Sequence, residues 1–62
     1  MWKHGDRANA LVTLAFRPVP VVMEVTVQSV DTEMQKVLVA TDNGIWQWLP
    51  NTLVTPVERV VS

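Results

Sequence analysis

The sequence predicts an all-β fold, a small five-stranded antiparallel barrel, and three observations support this prediction. First, β-prone runs alternate between apolar and polar residues, which places one side of each run in a core. Second, turn residues separate these runs at intervals of about 8 to 12 residues, a spacing typical of small all-β domains. Third, 62 residues are too few for two full sheets, so a single sheet has to curl around its own core.

The clearest element is a hairpin from Lys36 to Leu49. Two β-prone runs, residues 37–41 and 45–49, flank the dipeptide Asn43-Gly44. Asparagine and glycine tolerate the positive φ values that a tight hairpin turn requires. We therefore expect these two runs to pair antiparallel, and we expect the remaining strands to be added to this hairpin.

Residues 8–16 fit two periodicities, and both alternatives remain open at this point. As a helix, capped by Asp6 and ended by Arg17-Pro18, the segment has one apolar face. As a strand, its alternate residues from Ala8 to Phe16 all face one side. The strand is favoured because one short helix beside a lone sheet would leave the first sheet edge uncovered.

Three further segments complete the expected domain. Residues 21–30 alternate most regularly and predict a half-buried strand. Residues 50–52 interrupt the pattern and predict a short helical turn. Residues 53–57 follow as a last short strand, and the proline in it is tolerated only at an edge or a strand end. The whole chain is expected to form one domain, with its core in residues 2–57 and a strand end or tail in residues 58–62.

Composition narrows the classes of function. The chain has no cysteine and one histidine, which excludes disulfide bonds and argues against a zinc site. A formal net charge of −1 offers no basic surface to a phosphate backbone, so nucleic acid is disfavoured as a partner. No uncharged stretch is long enough to cross a bilayer, and the N-terminal segment does not resemble a signal peptide. We expect a soluble, cytoplasmic protein that does not act at a membrane.

Several short motifs stand in a definite order between residues 2 and 57. They are Trp2-Lys3, Gly5-Asp6, the small or apolar Ala8, Ala10 and Val12, Met23-Glu24-Val25-Thr26, Asp42-Asn43-Gly44, Leu49, Val54, Pro56 and Val57. Their order and spacing resemble the Tudor branch of the SH3-like barrels. The resemblance implies a barrel with these inward residues: Val25, Val37, Val39, Leu49 and Val54.

Tudor domains that read methylated lysine or arginine hold the cation in an aromatic cage. The cage positions of the family look like Val12, Val21, Val22 and Asn43 in this chain, and none of them is aromatic. The resemblance therefore implies the barrel but not the recognition of a methylated cation.

Two other motifs, Gly5-Asp6-Arg7 and Gln47-Trp48-Leu49-Pro50, resemble the type II dihydrofolate reductases, small barrels that assemble around a central pore. This resemblance implies an alternative function, an oligomeric enzyme whose pore, lined by Gln47 and Trp48, holds a pteridine and NADPH. The chain departs from that family at Leu49, where the family has tyrosine, and it has no lysine between Asp6 and Gln35.

Trp46 and Trp48 are two residues apart on a predicted strand and therefore share one face, opposite Gln47 and Leu49. If Leu49 points into the barrel, both indoles lie outside or at the rim and form an amphipathic contact patch. In the opposite arrangement both indoles fill the core and Gln47 faces water. The exposed arrangement turns Gln47 inward, where its side chain needs a buried hydrogen-bond partner. Both arrangements are possible, and we adopt the exposed one.

The main hypothesis is a non-catalytic protein-interaction or self-assembly module. Hydrophobic residues make up 48% of the chain, more than one tiny core readily hides, and this excess is most easily buried between copies or against a protein partner. The expected binding residues are Trp46, Trp48, Gln47, Phe16 and Arg17, the last two in the loop after the first strand. No catalytic residue, metal or cofactor is expected; NADPH belongs to the reductase alternative, and nucleic-acid binding is a third hypothesis.

Overall fold

The computed structural model describes residues 1–57, and the predicted strand end or tail at 58–62 lies outside them. In this part of the chain five antiparallel strands form one sheet. The strands are β1 (Arg7–Val12), β2 (Val21–Asp31), β3 (Lys36–Thr41), β4 (Trp46–Pro50) and β5 (Val54–Pro56). The predicted helical turn is a short 3-10 helix, Asn51–Leu53, between β4 and β5. The order across the sheet is β4-β3-β2-β1-β5, which confirms the all-β class and the five antiparallel strands.

The central hairpin pairs β3 with β4 as predicted. Its loop is a turn in which the Gly44 amide donates to the Thr41 carbonyl over 3.0 Å. Gly44 alone adopts the left-handed conformation there, with a φ of 93°, so Asn43 does not need the positive φ that its presence suggested. The Thr41 hydroxyl accepts the Ile45 amide over 3.0 Å and so holds the start of β4 against the end of β3.

The strand alternative for residues 8–16 is correct up to Val12 and wrong beyond it. β1 pairs with β2 from Arg7 to Val12, and Val12 lies opposite Val21, the first residue of β2. The residues before Val21 include two prolines, which have no amide to donate to a ladder, so nothing extends β2 to pair with residues 13–16. Phe16, which the strand alternative placed on the same side as Ala8, is instead 96% exposed in the β1–β2 loop.

One core of small apolar side chains lies against a single face of the sheet. Its buried members are Ala8, Ala10, Val12, Val25, Val27, Val37, Val39, Leu49 and Val54, which include all five inward residues that the resemblance implied. Every strand contributes at least one of them, and no helix layer covers the inner face in residues 1–57. A sheet without a second layer can bury one face only by curving around it.

Within residues 1–57 the sheet curves, but it does not close into a complete barrel. β2 is the longest strand and pairs with both β1 and β3, and its register against β3 shifts between Val27 and Ser29. Such a bulge bends a strand and increases its twist, which brings the two halves of the sheet toward each other. β4 and β5 are the two edges, and within residues 1–57 no ladder joins them. The described residues therefore form a curved five-stranded sheet that is open between β4 and β5.

Two valines on β2 provide a matched test of this core. Val25 is fully buried, whereas Val22 is 68% exposed on the outer face. Val25→Ala removes buried methyl groups and leaves a cavity, so it should lower the free energy of unfolding by about 2–3 kcal/mol. Val22→Ala should change it by less than about 0.5 kcal/mol. Urea unfolding followed by circular dichroism measures both, and equal losses would contradict the assigned faces.

Candidate interaction site on strand β4

The two tryptophans of β4 lie side by side on the outer face of the sheet. Trp46 is 59% exposed and Trp48 is 50% exposed, whereas Leu49 of the same strand is buried in the core. Side chains alternate along a strand, so the inward position of Leu49 sends both indoles outward. Of the two arrangements that the sequence allowed, the structure has the exposed one.

Cross-strand neighbours extend this exposed surface onto β3. Leu38 pairs with Trp48, and Ala40 pairs with Trp46, all on the outer face. Ala40 is only 7% exposed despite this position, so larger neighbouring side chains cover it. We call Leu38, Trp46 and Trp48 the tryptophan patch.

Within residues 1–57, the backbone of β4 is hydrogen-bonded to a neighbouring strand on one side only. Thr41 donates its amide to the Ile45 carbonyl over 2.8 Å, and Asn51 donates its amide to the Gln35 carbonyl over 2.9 Å. In an antiparallel ladder, hydrogen-bonded and non-hydrogen-bonded pairs alternate. The pairs of Trp46 and Trp48 with β3 are therefore non-hydrogen-bonded, and the amide and carbonyl groups of both tryptophans point away from β3, toward the open edge.

Gln47 points to the inner face and joins β4 to the β1–β2 loop. Its side-chain oxygen accepts the Thr13 amide over 3.2 Å, and its side-chain nitrogen donates to the Thr13 carbonyl. The amide group of Gln47 thus bonds the backbone as a strand neighbour would. This contact supplies the hydrogen-bond partner that an inward Gln47 requires, and it joins strands that are not neighbours in the sheet.

An ion-pair cluster centred on Arg7 borders the tryptophan patch. Across the outer face, Trp46, Ala40, Thr26 and Arg7 form one row of cross-strand pairs. The Arg7 guanidinium donates to Asp42 over 3.0 Å, to the Thr26 hydroxyl over 2.7 Å, and to Glu24.

These contacts shift the pKa values of Arg7 and Asp42. Hydrogen bonds from Arg7 hold the pKa of Asp42 below its ordinary value. The same bonds, first to Asp42 and then to Glu24, raise the pKa of Arg7. The charge of Arg7 is thus compensated locally by two carboxylates, and the surface beside the patch does not present an unpaired cation at this residue.

Phe16 and Arg17, the other predicted binding residues, lie in the exposed loop between β1 and β2. The Arg17 amide donates to the Leu14 carbonyl over 3.2 Å, which forms a turn in this loop. The hydrogen bonds of Gln47 bring Thr13, at the start of the loop, beside β4. A groove that continues from the tryptophans to Phe16 and Arg17 stays a prediction.

The positions that resemble a Tudor cage do not share one environment. Val12 is fully buried in the core, whereas Val22 is exposed on the outer face of β2. Among residues 1–57, no cluster of three or more histidine, aspartate or glutamate side chains is placed to hold a metal ion. No helix in this described range has the length and apolar character needed to cross a membrane.

Sequence reasoning missed two features of the surface. One is the edge of β4 to which no strand pairs within residues 1–57. Its signal in the sequence is Pro50, which has no amide to donate to a further strand. The other is an open depression of about 260 Å³ beside Trp2, with Val30 and Val37 in its apolar wall and Asp31 and Lys36 at its rim. Trp2 packs against the core and is partly buried. The residues that line this depression do not include Leu38, Trp46 or Trp48, so it is separate from the tryptophan patch.

Comparison with known proteins gives this chain no relative. No family model, no curated protein and no solved structure matches it at a significant level. Function is therefore argued from the residues of the site alone.

Gln47→Ala tests the link between β4 and the β1–β2 loop. The substitution removes both hydrogen bonds to Thr13 and leaves the backbone amide and carbonyl of Thr13 unpaired. The free energy of unfolding should therefore fall by about 1–2 kcal/mol. Hydrogen exchange of the Thr13 amide should also become faster, as measured by NMR. Gln28→Ala on β2 is the control, and it should leave that amide unchanged. Unaltered exchange at Thr13 in Gln47→Ala would show that the link does not form.

The Arg7–Asp42 pair predicts an acid-sensitive part of the stability. Because the pKa of Asp42 is lower in the folded chain than in the unfolded chain, its contribution is complete above about pH 4 to 5 and is lost as the pH falls through the folded value. Asp42→Asn should therefore flatten the dependence of the unfolding temperature on pH in the acidic range. Glu33→Gln, in the β2–β3 turn, removes one carboxylate away from the Arg7 pairs and is the matched control. Identical slopes in all three chains would contradict the pairing.

Proposed function

We propose that this chain is a non-catalytic interaction module whose contact surface is the tryptophan patch and whose partner is another protein or a further copy of itself. One observation carries the proposal: two half-exposed indoles lie adjacent on the outer face of an edge strand. Tryptophan is enriched at the energetically important centres of protein interfaces because its ring supplies a large apolar area together with one polar group.

The distribution of large side chains supports this proposal. The fully buried positions hold valine and alanine, while Trp46, Trp48 and Phe16 remain outside. A buried tryptophan removes about 150–250 Å² from water, so the exposed halves of two indoles offer roughly 200 Å². At about 25 cal/mol per Å², covering that area contributes about 5 kcal/mol before the costs of association are subtracted. This is a large term for so small a domain.

The proposal includes an SH3-like, Tudor-like barrel as the scaffold and the cytoplasm as the location. The five antiparallel strands, the curved sheet and the burial of the implied inward residues support the scaffold. The absence of cysteine from the chain suits a reducing compartment, which supports the location.

The other two hypotheses receive less support from the geometry. Gln47 and Trp48 point to opposite faces of β4, and the side chain of Gln47 is already bonded to Thr13, so the two do not line one pore from the same side. The nucleic-acid hypothesis needs a basic face, and Arg7 is neutralised by Glu24 and Asp42.

Site-specific photo-crosslinking tests the proposed contact surface. A benzophenone amino acid placed at Leu38, beside Trp48, should form adducts of defined mass in the cells that express the protein, with itself or with another protein. The double variant Trp46→Ser, Trp48→Ser should abolish these adducts, because it removes the apolar area that holds the partner. Asn9, on the outer face of β1, is the control position and should give none.

Two results would contradict the proposal. One is a Leu38 probe that forms no adduct. The other is an adduct that persists in the double tryptophan variant or that forms equally well from Asn9. Either result would show that macromolecules do not bind through the tryptophan patch.

A further inference from the structure

The open edge of β4 points to a particular occupant. We infer that a second copy of this chain pairs with it, so that β4 and β4 of the second copy run antiparallel about a two-fold axis and join two sheets into one. This inference rests on the proposed function and deepens it, since it specifies the partner, the strand and the register.

The first argument comes from the free backbone groups. Trp46 and Trp48 each direct one amide and one carbonyl to the open edge, because their pairs with β3 are non-hydrogen-bonded. Pro50, the next residue in the same alternation, has no amide to offer. The edge of each copy therefore presents two donors and two acceptors within three residues, an arrangement that a second copy in the opposite direction matches.

The second argument concerns the register. When Trp46 lies opposite Trp48 of the second copy, with the two-fold axis beside Gln47, every edge amide and carbonyl of the four tryptophans is paired, in four hydrogen bonds. If the second copy is shifted by two residues in one direction, Trp48 lies opposite Gly44 of that copy, whose amide already donates to Thr41. If the second copy is shifted by two residues in the other direction, Trp46 lies opposite Pro50 of that copy. Pro50 has no amide, so the Trp46 carbonyl is left without a donor. Of these three two-fold registers, only the one with its axis beside Gln47 pairs every edge amide and carbonyl of the tryptophans.

The third argument comes from the side chains in that register. Neighbours across an antiparallel pair lie on the same face, with Cα atoms about 5.5 Å apart in a hydrogen-bonded pair. Each Trp46 then stands beside Trp48 of the other copy, and the four indoles form one cluster on the shared outer face. Aromatic cross-strand pairs of this kind stabilise sheets. One pairing thus satisfies the backbone edge and covers the exposed rings together.

The fourth argument is the difference between the two edges of the sheet. Native edges are commonly protected by short length, by proline or by charged side chains. Both edge strands end in a proline, but β5 has only three residues, Val54–Pro56. β4 has five residues, and residues 43–57 contain no aspartate, glutamate, lysine or arginine, so no charge repels a second copy at this edge. Among the described residues 1–57, β4 thus offers the longer edge, and that edge carries no charge.

N-methylation of one backbone amide separates edge pairing from packing of the rings. A chain of 62 residues is accessible to chemical synthesis, and N-methyl-Trp48 keeps both indoles while it removes an outward donor and adds bulk at the edge. It should leave the β3–β4 ladder intact, because that amide does not donate to β3. N-methyl-Phe16, in the exposed β1–β2 loop, is the matched control. Sedimentation equilibrium and circular dichroism measure association and fold.

We expect the unmodified chain and N-methyl-Phe16 to dimerise, and we expect N-methyl-Trp48 to fold normally with a dimer dissociation constant at least tenfold higher. In the dimer, NMR hydrogen exchange should show protection of the Trp46 and Trp48 amides that is lost on dilution. A chain that remains monomeric at all concentrations, or a dimer that N-methyl-Trp48 forms equally well, would overturn the inference.

The same results distinguish this inference from the proposed function. If Leu38 crosslinks to a different protein while the purified chain stays monomeric, the tryptophan patch is an interaction surface but β4 does not pair with itself. If neither crosslinks nor dimers form, both are wrong.

Discussion

The register of the β3–β4 hairpin determines which of its side chains face the core and which face outward. It is set where Gly44 turns the chain and where Thr41 holds Ile45. With this register, Val37, Val39 and Leu49 face the core, and Trp46 and Trp48 face outward. A shift of one residue would exchange the two faces, burying two large indoles in a core sized for valine and exposing Leu49. The same turn therefore determines both what stabilises the sheet and what is available for contact.

The sequence predicted well those elements whose signals are local. The hairpin, the alternating strand predicted at 21–30 and the turn before β5 each carry their evidence within a few neighbouring residues. The end of β1 was missed because it depends on its partner. Residues 13–16 are as apolar as the strand before them, but β2 begins only after Pro20 and offers them no ladder.

The candidate site also depends on a partner that is distant in the sequence. Periodicity placed the two tryptophans on one face but left open which face was buried. The answer depends on Gln47, whose partner Thr13 is 34 residues away in the chain and bonds through its backbone. A backbone partner leaves no trace in residue type, so no pattern in the sequence indicated it. The open edge of β4 likewise follows from the alternation of ladder bonds, which only the pairing defines.

The valine and alanine interior has a consequence for how so short a chain reaches a folded state. Alanine has no rotamers to lose, and the branched Cβ of valine already restricts χ1 before folding, so confining these side chains costs little entropy. Longer side chains such as Met34 and Lys36 keep their rotational freedom at the surface. The small free energy gained from burial is therefore opposed by only a small loss of side-chain entropy.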